Sequence, residues 1–153
     1  MSSIGHDTIL QLIQSGLTFD GGGQILLSDD SGNIIAGTRA DVALNNEDNT
    51  IAGAGQLGNG QLDFTNAGKV NATGSHALTI DTGSNVIHNS GVLEASGTGG
   101  LTIVSTVDNS DSLWANDANL TAQGAVGGNG TAIIDGKGLL TSKPHRGQTS
   151  YLA

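Results

Sequence analysis

Glu94 and Trp114 stand 20 residues apart, and Asn71 precedes Glu94 by 23. A chain that returns on itself about every twenty residues would set these three side by side on one outer surface. An indole beside a carboxylate and a carboxamide is a surface on which a sugar ring could stack and hydrogen-bond. His88, close by in sequence, would add an imidazole to such a patch. The plainer account is an isolated exposed Trp among solvated polar groups. Uronate or glycosidic chemistry asks for more, namely carboxylates clustered with Arg, Lys or His on one face, and no such cluster stands out.

The remaining chemistry-bearing residues read as turn residues. Asp29-Asp30, Glu47-Asp48, Asp108, Asp111 and Asp117 sit between apolar runs, where Asp is a normal solvated corner residue. His76 and His88 match no metal-binding spacing. Ser is abundant, yet no Gly-x-Ser-x-Gly turn marks a nucleophile. The run from Gly127 to Asp135 partly resembles the nonapeptide that binds calcium between stacked turns, but Ala132 stands where the ligand Asp should be. A single defective copy lacks the neighbours such a site needs, so no cofactor is expected, a calcium-stabilised repeat being the weaker alternative, and the chain reads as non-enzymatic.

The formal net charge is −9, and of the five basic residues only Arg39 and Lys69 precede Lys137, Lys143 and Arg146. Tracking phosphates requires clustered Lys and Arg, so nucleic acid is not an expected partner, and neither is an anionic membrane surface. There is no Cys, which excludes disulfides and thiolate chemistry. The N-terminus has neither a basic region nor an apolar one, and no run of 18 apolar residues occurs, so neither a signal peptide nor membrane insertion is expected of these residues. An extracellular protein of this sequence would then be a piece of a longer chain.

The elements that must position these residues emerge from internal repeats. Asn33, Asn49, Asn66, Asn89, Asn109 and Asn129 each begin a turn-then-strand unit, at steps of 16, 17, 23, 20 and 20 residues. A second column is Leu-rich: Ile25-Leu26-Leu27, Val42-Ala43-Leu44, Leu62-Asp63-Phe64, Leu78-Thr79-Ile80, Leu101-Thr102-Ile103 and Leu120-Thr121-Ala122. Apolar residues flanking a polar one are the period-2 mark of a strand with one buried face. A third column holds Val86-Ile87, Thr106-Val107 and Ala125-Val126. Units of this size cannot bury an apolar face alone; coiling stacks each strand on its equivalent one turn later. The expected fold is all-β: a right-handed parallel β-helix, or β-solenoid, with about three short strands per coil of 16–23 residues. Six coils at ~4.8 Å would make a rod ~29 Å long. The hand is taken from the chirality of parallel β connections. The six asparagines would occupy corners, where Asn tolerates the left-handed conformation and can stack into an amide ladder.

The expected organisation is an N-terminal cap or irregular first coil over 1–19, β-helix repeats over 20–138, and a frayed or non-repeat tail over 139–153. Asp7 to Gly16 reads either as a short helix capping the open end, with Asp7 as N-cap and Gly16 as its stop, or as a further imperfect strand. Open ends would expose strand edges, so self-association is an expected partnership.

Asn49-Thr-Ile-Ala-Gly-Ala-Gly-Gln-Leu-Gly-Asn-Gly-Gln-Leu62, Asn66-Ala-Gly68, Leu78-Thr-Ile-Asp-Thr-Gly83, Asn89-Ser-Gly-Val-Leu-Glu-Ala95 and Gly99-Gly-Leu-Thr-Ile103 carry a resemblance. Over residues 20 to 136 the chain resembles the β-strand repeat segments of large bacterial surface proteins, the autotransporter passengers and filamentous-haemagglutinin-like adhesins. That resemblance implies a secreted or cell-surface rod, spacer or adhesive segment of a larger bacterial protein, whose partner would be a surface glycan or protein.

Overall fold

The computed structural model describes residues 1–143, and every regular element in them is a strand. The first coil comprises β1 (Thr8–Leu12), β2 (Leu17–Phe19) and β3 (Gln24–Leu26). The second comprises β4 (Asn33–Gly37), β5 (Ala43–Asn46) and β6 (Thr50–Gly53), and the third β7 (Gly55–Leu57), β8 (Asp63–Asn66) and β9 (Lys69–Ala72). Next come β10 (Leu78–Ile80), β11 (Ile87–Asn89) and β12 (Val92–Ala95), then β13 (Leu101–Ile103), β14 (Val107–Asn109) and β15 (Ser112–Asn116). The sixth coil is β16 (Asn119–Gly127), which runs through two faces, and β17 (Thr131–Asp135); β18 (Leu139–Lys143) opens a seventh.

All pairing is parallel, each strand with its equivalent one coil away. Three faces result: β1-β4-β7-β10-β13-β16-β18, then β2-β5-β8-β11-β14-β16, then β3-β6-β9-β12-β15-β17. The chain is a β-solenoid of about six turns.

The core is built from ladders of inward residues. On the first face, Leu78, Leu101, Leu120 and Leu140 stack in register, as do Ile35, Leu57, Ile80 and Ile103. On the second, Leu44, Phe64, Ile87 and Val107 follow one another, and on the third Ile51, Val70, Leu93 and Leu113. All of these but Leu140 are buried, each worth about 1.5–3 kcal/mol relative to exposure. The residues between them point outward, among them Gln56, Thr79, Thr102 and Thr121.

Several expectations require correction. Asp7 to Gly16 contains no helix: Thr8–Leu12 is β1, in register with Asn33–Gly37, because pairing along a ready-made strand outweighs the weak helical preference of so short a segment. Coils measured from Thr8 through Asn33, Gly55, Leu78, Leu101, Leu120 and Leu140 span 19 to 25 residues; all but the first lie within the expected 16–23, but the individual steps of 16 and 17 do not occur. The short steps came from equating Asn33, on the first face, with Asn49, at the corner leading into the third. The Leu-rich column likewise mixed faces: Ile25 lies on the third, Leu44 and Phe64 on the second, and only the triplets from Leu78 onward on the first. At the far end, parallel pairing continues to Lys143; residues 144–153 of the expected tail lie outside the described residues.

The tightest corner joins β6 to β7 through Ala54 alone. Gly53 (φ 129°) and Gly55 (φ 126°) adopt conformations open to glycine, and a Cβ on either would overlap a carbonyl oxygen of the preceding coil, Leu27 or Asn33.

Candidate functional site

Each candidate can be built up from its ladder. In the outward row of the third face, Asn71 pairs with Glu94 and Glu94 with Trp114. The three predicted neighbours are therefore adjacent in space. Their surroundings differ from those of an open patch, however. Glu94 is only 3% exposed although it points outward. Lys69, one coil back and two residues earlier along the strand, reaches diagonally to form an ion pair with Glu94 Oε2, and Asn116 Nδ2 donates to Oε1 from the other side at 2.8 Å. The Lys69 Nζ also lies 5.8 Å from the Trp114 ring centroid, a cation–π distance. The indole Nε1 donates to Asp135 Oδ2 at 3.0 Å, and Asn71 Oδ1 accepts from Ser96 Oγ at 2.8 Å.

These bonds tie successive coils: Lys69 and Asn71 in the third, Glu94 and Ser96 in the fourth, Trp114 and Asn116 in the fifth, Asp135 in the sixth. A nearly buried carboxylate is tolerated because a cation and an amide satisfy it. One face of the indole carries the ammonium. Lys69 and Asn116 are the residues that the sequence reading missed. The signal was present, since Lys69 and Glu94 are the lone opposite charges of two successive strands, but their contact is diagonal and escapes a comparison of aligned columns.

His88 does not join this group. It sits on the second face, outward, in register with Thr65 and Asp108, and its Nδ1 is 3.9 Å from Asp108 Oδ2. The strand alternation that turns Asn89 inward turns His88 outward, away from the face bearing Glu94 and Trp114. Among the described residues no three His, Asp or Glu side chains converge as metal ligands.

A second cluster joins non-adjacent coils. Asp29, between β3 and β4, accepts from Ser75 Oγ at 2.6 Å and from the His76 backbone N–H at 2.8 Å, and lies 3.2 Å from His76 Nδ1. The intervening coil allows this reach because its corner is only Ala54. The backbone N–H of His76 and the Ser75 hydroxyl favour the carboxylate and hold the Asp29 pKa well below the ordinary range. A carboxyl whose folded pKa is depressed adds stability at pH values above its unfolded pKa of about 3.9 and loses it as pH falls through the folded value. Asp29→Ala is therefore expected to lower the melting temperature by a constant amount around neutrality. The difference from wild type should shrink only below about pH 4. Thermal melts across that range check it; a gap that instead opens on acidification would contradict the assignment.

The expected asparagine ladder is present, with Asn66, Asn89 and Asn109 as expected and Asn46 in place of Asn33, Asn49 and Asn129. Asn46, Asn66, Asn89 and Asn109 end the strands of the second face and are buried, and the amides of the first three donate to the next coil's Oδ1 at 2.8, 2.8 and 2.7 Å. Each also closes its own corner, on the carbonyls of Asn49, Gly68, Gly91 and Asp111. None has a positive φ, a conformation that among the described non-glycine residues only Asn59 and Asp117 adopt. Asn33 and Asn49 stand outside the ladder. Asn33 fastens the corner before β4 through Ser28 and Asp30, and Asn49 Oδ1 accepts from Gly23 N–H. Asn129 is exposed; Gly128 follows Gly127, the partner of Asp108, and so occupies the position after Asn109.

Compared with protein-family models, curated proteins and solved structures, the chain matches none.

Proposed function

We propose that this chain is a structural repeat module, a rod, spacer or adhesive segment of a secreted or cell-surface bacterial protein, with no catalytic role. The observation that carries the proposal is the use made of its chemistry-bearing side chains. Glu94, Lys69, Trp114, Asp135 and Asp29 are each engaged with residues of another coil, and the asparagine ladder bolts four coils together. Groups held in this way add stiffness along the axis. The periodic resemblance of residues 20 to 136 to bacterial surface repeats supports the surface setting.

One observation favours a second reading, that of a carbohydrate-binding β-solenoid: Asn71, Glu94 and Trp114 do lie side by side. The two readings separate on Lys69→Ala. For a structural module, the change removes a cross-coil ion pair and lowers the melting temperature, and neither the variant nor the wild type retains acidic or neutral polysaccharides on an affinity gel. For a sugar site, removing the ammonium uncovers the indole, and saturable quenching of Trp114 fluorescence by a polysaccharide would overturn the structural reading.

A further inference from the structure

Side chains at two corners of the solenoid tie together coils that are not neighbours. Asp29, four residues before β4, holds Ser75 and His76, which lie just before β10. Asn85, five residues after β10, donates through Nδ2 to Ala40 O at 2.6 Å, three residues after β4. The same amide donates to Leu62 O of the coil between them at 2.9 Å. Both straps join residues 45 to 47 apart, which is two coils of chain. All other hydrogen bonds between coils, among the described residues, join immediate neighbours.

The two straps bracket one strand. β7 lies between β4 and β10 on the first face; the Asp29 strap passes over the corner that enters it, at Ala54, and the Asn85 strap over the corner that leaves it, at 58–62. That strand is the thinnest pairing of the face. β7 is in register with β4 only through Ile34↔Gln56 and Ile35↔Leu57, whereas β1 and β4 share five positions and β7 and β10 share three. Each strap starts at a corner flanking β4 and ends at a corner flanking β10. Parting β4 from β7, or β7 from β10, therefore breaks both.

From this geometry we infer that the straps form a latch, which fuses the second, third and fourth coils into one opening unit and carries axial load past the weak strand β7. In a solenoid whose coils hold only their neighbours, opening starts at the weakest interface and spreads. Here the weakest interface of the first face is spanned from both sides, so it cannot open alone. From β13 onward only single-step contacts join the coils, and those interfaces open one at a time. The latch depends on coil geometry alone and is independent of what the solenoid binds.

Hydrogen exchange of the whole chain in sub-denaturing urea, read by mass spectrometry on peptides from each strand, tests it. In wild type the amides of β4, β7 and β10 are expected to exchange together with one shared urea dependence, and those of β13 and β16 with their own. Asp29 is 47% exposed and Asn85 is partly exposed, so truncating them opens no cavity and leaves the backbone pairing in place. Asp29→Ala combined with Asn85→Ala should split the three strands, with β7 exchanging roughly tenfold ahead of β10, the scale set by the loss of an ordinary hydrogen bond or two. Each single variant should split them by a smaller step. Ser96→Ala, which removes a bond between neighbouring coils, should leave the three together. Wild-type β7 exchanging ahead of both its neighbours overturns the inference. So does a double variant in which the three strands still exchange as one, because their coupling would then belong to the backbone. Equal splitting by Ser96→Ala counts against it too, since any surface bond would then serve as well as the straps.

Discussion

Phe64→Ala is expected to lower the free energy of unfolding by about 3–5 kcal/mol, the range for deleting a buried aromatic ring. The upper part of that range applies because the site cannot collapse. Phe64 is fully buried between Leu44 and Ile87, its ladder neighbours one coil to either side. Those neighbours sit on backbone fixed by parallel pairing at ~4.8 Å, so neither can slide into the void. Only side-chain rotation is left, and Leu44 and Ile87 are too short to fill a phenyl-sized gap. Leu17→Ala, at the exposed end of the same column, should cost far less, since Leu17 is only half-buried and its loss opens to solvent. Equilibrium urea unfolding of the two variants checks the contrast. A chain whose repeats contact only nearest neighbours should also respond locally. In Phe64→Ala, amide exchange should accelerate most in β5, β8 and β11, and Leu17→Ala should loosen only the first coil. Equal costs for the two would mean that the second face is not a continuous ladder.

The part of this fold that could be read from the residues is the part where successive coils keep the same frame. Leu78, Leu101 and Leu120, with Ile80, Ile103 and Ala122, recur with the same polar residue between them, and they stack as expected. Asn66, Asn89 and Asn109 also keep step. The first three coils were obscured by a coincidence and a shortcut. Asn33-Ile-Ile-Ala-Gly37 and Asn49-Thr-Ile-Ala-Gly53 look alike although they lie on different faces. The single-residue corner at Ala54 then removes the loop whose length would have shown the mismatch. The ladder's true first member, Asn46, is hidden beside Asn45 and is followed by Asn49, so an alignment on Asn has three choices within five residues. Of the candidate site, the row Asn71, Glu94 and Trp114 was legible because it is a column. Its closure by Lys69 and Asn116 was not, because diagonal contacts depend on side-chain length and direction rather than on repeat spacing.

Asn89→Ala is expected to cost about 3 kcal/mol, and the ladder's direction says why it should exceed Asn109→Ala. In each link the amide of one coil donates to the Oδ1 of the next. Removing Asn89 leaves Asn109 Oδ1 buried with no donor and deprives the Asn66 amide of its best acceptor. It also releases the corner carbonyl of Gly91. An unsatisfied buried polar atom costs about 1–3 kcal/mol, so the acceptor orphaned at Asn109 accounts for much of the effect. Removing Asn109 orphans no further Oδ1, since Gly128 follows it in the column. The other terminus shows the same polarity. Asn46 Oδ1 is buried without a partner, because the preceding position is Phe19, which has no amide to offer. The ladder cannot simply be lengthened at Gly128, whose φ of 91° and close approach to Asn109 O exclude a Cβ. Unfolding free energies should therefore rank Asn89→Ala and Asn66→Ala as the more damaging pair and Asn109→Ala as the milder change. If Asn109→Ala proves equally costly, the amides act as independent corner clamps, each bonding its own coil's carbonyl, and the inter-coil links carry little of the stability.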